Sequence, residues 1–115
     1  MKDITLEQLL EAGCHFGHQV TRSNPKARDF IFEARDGIHI IDLAKTKEGL
    51  EDAAKYLKNL GKNPTSTLLI VGTKRQSHEV LIKEIERAKG QIKGDSGLFY
   101  VTNKWIGGLL TNFQE

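Results

Sequence analysis

TLLIVGTKRQSHEVLIKEIERAKG, residues 67–90, is the stretch that decides the fold. Its opening TLLIV has no polar alternation, as expected of a central strand buried on both faces. Gly72 follows at once. From about Gln76 to Lys89, Val80, Leu81, Ile85 and Ala88 recur at helical spacing, which predicts a helix with one inward face, closed by Gly90. A polar connection, GQIKGDSG at 90–97, then leads to a second apolar run at Leu98–Val101. Strand, helix, strand in this order is the pattern of a parallel sheet with crossover connections.

Towards the N-terminus the pattern extends. Leu50, Ala53, Ala54, Leu57 and Leu60 predict an amphipathic helix running from Thr46 and ended by Gly61. Ahead of it, two apolar runs at 30–32 and Ile38–Ile41 flank Arg35, Asp36 and Gly37, which reads as two strands joined by a turn. The expected architecture is therefore α/β and layered, with about three parallel strands. Sheets of this class usually carry more, so the reading is of an incomplete domain, its N-terminal part only. At the start of the chain, Thr5 and Gln8 form a capping box for a short helix with Leu6, Leu9 and Leu10 on one face, closed by Gly13. Residues 14–29 show no period and are expected to form a long loop. The expected division is 1–29, helix and loop, and 30–115, a partial α/β domain.

Composition limits the partners. The 115 residues carry 17 Lys and Arg against 15 Asp and Glu, a net charge of +2 that does not by itself identify a nucleic-acid binder. The distribution says more, because residues 19–28 hold Arg22, Lys26 and Arg28 with no acid. A single cysteine, Cys14, forms no internal disulfide and suits a reducing compartment. No long apolar run implies a membrane span, and the acidic, helix-like N-terminus is unlike a signal peptide, so the expected address is cytoplasmic.

Three segments carry candidate chemistry. IVGTKRQS, 70–77, runs from a strand through Gly72 to a helix start, where free amides and the cations Lys74 and Arg75 attract a phosphate. It lacks P-loop spacing, which gives nucleotide hydrolysis little support. AGCHFGHQVTRSNPK, 12–26, presents Cys14, His15 and His18 as three possible metal ligands. Zinc sites close with four, and neither His39 nor His78 has a partner at ligand spacing, so no metal and no other cofactor is expected. Arg22, Lys26 and Arg28 suit phosphate contact there, with Asn24 and Pro25 setting the bend.

In the third segment, FYVTNKWIGGLLTNF at 99–113, Asn103, Lys104 and Asn112 suit backbone contacts, while Trp105 and Phe113 are either core or base-stacking residues. His39 and Asp42 lie near one strand without a serine nucleophile or paired carboxylate, so catalysis finds no support. Two readings of the residues stay open: an RNA-binding module, and a small-molecule phosphate or nucleotide-binding α/β module.

Taken in series, AGCHFGH at 12–18, SNPK at 23–26, DGIHIIDLAKT at 36–46, VGTKRQ at 71–76 and FYVTNKWIGGLLTNF at 99–113 resemble the bacterial small-subunit ribosomal protein S2 family. The resemblance implies a flavodoxin-like, three-layer parallel sheet interrupted by a helical hairpin beyond the LTNF segment. It further implies a structural, non-enzymatic protein that binds small-subunit rRNA beside neighbouring small-subunit ribosomal proteins. The contact with ribosomal protein S-one involves regions outside these motifs and is not carried over. Together with the basic residues Arg22 and Arg28 that lie between the motifs, the resemblance makes the candidate rRNA contacts His15, His18, Arg22, Asn24, Lys26, Arg28, Lys74, Arg75, Gln76, Asn103, Lys104 and Asn112. Cys14 stands where the family commonly has an aliphatic residue, Ser23 where an aromatic is frequent, Ala27 where Met is frequent, and Lys104 where Arg is usual. Lysine keeps the charge at that last position but not the planar fork for a bidentate phosphate contact.

Overall fold

The computed structural model describes residues 3–92, 94 and 97–113. They fall into two compact units, residues 1–62 and 63–115.

In the first unit, helix α1 (Leu6–Glu11) starts where Thr5 Oγ1 accepts from the Gln8 amide at 3.2 Å and Gln8 Oε1 accepts from the Thr5 amide at 3.1 Å. Of its three leucines Leu9 is buried, at 7% exposure, while Leu6 and Leu10 are exposed. Strands β1 (Phe16–Gln19), β2 (Ile31–Arg35) and β3 (Ile38–Ile41) form an antiparallel sheet in the order β1-β3-β2. Between β2 and β3, Asp36 and Gly37 are the two-residue turn, with φ of 51° and 75°. Positive φ at both central positions matches the right-handed twist of the flanking strands, and Asp and Gly are residues that tolerate it.

The expected loop at 14–29 is more ordered than its sequence suggests. Phe16 pairs with Ile40 and Gln19 with Ile38, and the rest is two 3₁₀ turns, Val20–Arg22 and Pro25–Phe30. Helix α2 (Leu43–Leu60) begins three residues before Thr46, because Asp42 Oδ1 accepts from the amides of Ala44 and Lys45 at 3.0 and 3.4 Å. It contacts α1, and Lys47 pairs with Asp3 at 3.6 Å.

The second unit is the strand, helix, strand motif. Strands β4 (Leu68–Val71) and β5 (Leu98–Val101) pair in parallel, Leu68 opposite Leu98 through Val71 opposite Val101. Helix α3 (His78–Gln91), preceded by a 3₁₀ turn at Arg75–Ser77, connects them and runs one residue past Gly90. Ile85 and Leu98 are the buried centre, and the Lys89 ammonium stands 5.7 Å from the Tyr100 ring.

The fold is thus α/β, as expected, with a difference in sheet membership. The parallel sheet has two strands among the described residues; β3, counted with them in the sequence reading, ladders with β1 and β2 instead. Nor is β4 covered on both faces. Leu68 and Ile70 are half-buried, whereas Leu69, Val71 and their neighbour Phe99 are exposed, Phe99 at 55%.

Candidate nucleic-acid interface

In the first unit the basic loop is built by local hydrogen bonding. Asn24 caps the second 3₁₀ turn, its Oδ1 accepting from the Lys26 amide at 3.0 Å, and Pro25 at the first position supplies a pre-set φ. The far end of the turn is tied to the hairpin and to α2: the Asp42 amide donates to Phe30 O at 2.9 Å and Lys45 Nζ donates to Asp29 O. Arg22, Asn24, Lys26 and Arg28 are all exposed along this segment. Upstream, the Val20 amide donates to Gly37 O at 3.0 Å, which anchors the loop under the hairpin turn.

His15 precedes β1 and His18 lies within it. His18 is exposed, while the His15 ring lies against Phe16, centroids 4.0 Å apart and 36° tilted, with Nδ1 buried and without a hydrogen-bond partner. Cys14 is an exposed thiol, and among the described residues no three His, Cys, Asp or Glu side chains gather as a metal site would require.

In the second unit the candidates leave the carboxyl ends of two paired strands. Val71 and Val101 are register partners, and the Gly72 amide extends the ladder to Val101 O at 2.9 Å. Lys74, Arg75 and Gln76 follow β4, and Asn103 and Lys104 follow β5, all five exposed. Their sharing of one sheet end is therefore a consequence of strand register. A Cβ at Gly72 would meet the tip of Leu81 at Cδ1, which would have to turn aside. Ser77 does not cap α3 with its side chain; its Oγ donates to Lys74 O at 2.7 Å and closes the cationic turn on itself. Asn112 lies further on, exposed, its amide donating to Gly108 O at 2.7 Å. Trp105 is half-buried and Phe113 exposed.

Charge pairing separates some cations from others. Arg35, Lys47, Lys55 and Arg87 have carboxylate partners. Arg22, Lys26, Arg28, Lys74, Arg75 and Lys104 have none among the described residues, a state they share with Lys45, Lys58, Lys62, Lys83 and Lys89. What distinguishes the six is grouping on the 20–30 loop and at the shared carboxyl end of β4 and β5. His39, set aside from the sequence as a metal ligand or catalyst, and Glu33, not weighed there, line a cleft with Asn24 and Arg28. The two-residue hairpin turn was the available signal, since it sets Ala34 opposite His39.

This is an α/β protein with six unpaired cations grouped on a 3₁₀ loop and at the carboxyl end of a parallel strand pair. Residues 9–115 match the family described as ribosomal protein S2, and the chain belongs to that family. It is 51% identical over 114 residues to the small ribosomal subunit protein uS2 of Coprothermobacter proteolyticus, a match covering 99% of this chain and 39% of that protein. The chain thus spans about two-fifths of the length of that relative.

Proposed function

We propose that this chain is a structural constituent of the small ribosomal subunit, without enzymatic turnover, and that it binds small-subunit rRNA in the cytoplasm beside neighbouring subunit proteins. In this reading residues 1–29 supply the first helix and an rRNA-facing loop, and residues 30–115 a partial α/β domain. The observation that carries it is the grouping of six unpaired cations on the 20–30 loop and at the carboxyl end of the β4–β5 pair, in a chain of this family. Phosphate contacts from Arg22, Lys26, Arg28, Lys74, Arg75 and Lys104 supply the affinity, and His15, His18, Asn24, Gln76, Asn103 and Asn112 set the register.

Binding of the chain to small-subunit rRNA, titrated at several salt concentrations, tests this. Each phosphate neutralised contributes a log-log slope of about −0.7 to −0.9, so six contacts give roughly −4 to −5. An affinity that does not change with salt overturns the reading. The turn at Gly72, with Lys74 and Arg75 beside a helix start, also suits a free phosphate or nucleotide; thermal stabilisation by mononucleotides and not by RNA would favour that second reading.

A further inference from the structure

A cleft of about 550 Å³ opens in the first unit between the 3₁₀ loop and the β2–β3 hairpin, lined by Asn24, Arg28, Ile31, Glu33, Ala34 and His39 among others. We infer that it seats one unstacked nucleotide of the rRNA, an inference that rests on the rRNA-binding reading above and names what that surface recognises.

Size comes first. A volume of this order suits a small planar ligand with its attached sugar phosphate and is far too small for a duplex. Sequence-selective RNA recognition works on splayed-out single nucleotides, stacked on aromatic rings or guanidinium planes and hydrogen-bonded along the base edge. The lining supplies each part. His39, half-buried, offers a ring with no hydrogen-bond partner among the described residues, and Arg28 an unpaired guanidinium. Ile31 and Ala34 provide apolar floor.

One polar group is held for reading a base edge. Because Asn24 Oδ1 is held by the Lys26 amide, the side chain presents its NH₂ group as a donor for a base acceptor. The Glu33 carboxylate, paired with Arg35 at 2.6 Å, alternates to the face of β2 opposite Ala34 and His39, so the edge contact comes from Asn24. A fixed donor favours base edges that present an acceptor, which a phosphate-only site does not do. The cleft also adjoins the basic loop itself, since Asn24 and Arg28 belong to both, so a strand tracked by Arg22 and Lys26 passes its mouth.

Chemical probing of base edges in small-subunit rRNA, with the full chain bound, tests the inference. Ala34→Phe fills the cleft without changing a charge, on an exposed strand position where an aromatic is well tolerated. Asn24→Asp keeps the oxygen that accepts from the Lys26 amide and removes the donor, and serves should Ala34→Phe misfold. The wild-type chain is expected to protect the base edge of an unpaired nucleotide. Ala34→Phe should lose that protection and about 5- to 150-fold in affinity, the value of one stacked base, with the salt slope retained; Asn24→Asp should restore reactivity at the same nucleotide. Identical base protections in all three proteins overturn the cleft while leaving rRNA binding intact. Wild type with no salt-dependent rRNA binding removes both readings together. Micromolar saturation by free AMP, GMP, CMP or UMP overturns the assignment to rRNA.

Discussion

The two units display their cations by opposite constructions. In residues 3–62 the basic segment is a loop pinned at both ends, by Val20 to the hairpin turn and by Asp42 and Lys45 to the start of α2, so its shape is set by hydrogen bonds to neighbouring elements. In residues 63–113 there is little to pin: Lys74, Arg75, Asn103 and Lys104 project from two strand ends, and only the parallel register of β4 and β5 brings them side by side. The first construction depends on polar tethers between local elements. The second depends on a small apolar centre, Ile85 and Leu98, that holds a helix against a strand pair. Damage to packing should therefore disarm the second unit, and damage to caps and tethers the first.

The sharpest way to break this contrast is at Ile85, which is 4% exposed. Ile85→Ala removes packing at the centre of α3 and is expected to cost about 2–5 kcal/mol. Native-state hydrogen exchange should show the loss in the amides of β4, β5 and α3, with protection in the β1–β3 sheet retained; uniform loss across the chain would mean the two units share one cooperative core.

Close approaches give the next comparison. Alanine at Gly72 and at Gly17 is expected to destabilise each by about 1–3 kcal/mol. The neighbours differ in kind. A Cβ at Gly72 meets the tip of Leu81, whereas one at Gly17 meets the backbone oxygen of His39 at 2.9 Å. Leu81→Ala should therefore partly rescue Gly72→Ala in a double-mutant cycle. For Gly17→Ala the obstacle is a main-chain atom, and His39→Ala should give no rescue in denaturant unfolding.

The smallest effect is expected at Asp42. Asp42→Ala removes the cap of α2 and should cost about 1 kcal/mol in chemical denaturation. It keeps the amide that donates to Phe30, so salt-dependent rRNA binding should change less than when Arg28 is replaced. An equal loss would mean that the carboxylate itself faces the RNA.

Much of this architecture was readable locally. The capping box at Thr5, the Asp36-Gly37 turn, the leucine and alanine spacing of α2 and the apolar runs of β4 and β5 are short-range signals, and each element forms where its residues specify. Partner choice was not readable. Phe16–Gln19 has no polar alternation to announce a strand, and its partner lies some twenty residues on, across an irregular register. For the same reason β3 was counted in the wrong sheet, since an apolar tetrapeptide before a helix looks alike whichever neighbour it ladders with. At the candidate interface the cations were visible as residue types. The cleft beneath them was not, because His39 and Glu33 reach it only through the pairing of β2 with β3.

The Asp36-Gly37 turn also bears on the order in which the chain acquires its shape. A hairpin closed by two residues forms in about 1–10 μs, whereas β5 finds β4 only after α3 and the polar connection have been made, a loop-closure cost that slows parallel pairing. At synthesis rates of roughly 5–20 residues per second, the about 40 residues separating Lys62 from Val101 delay the second unit by some 2–8 s. During that interval the strands of the first sheet have already been synthesised, together with Arg22, Lys26 and Arg28.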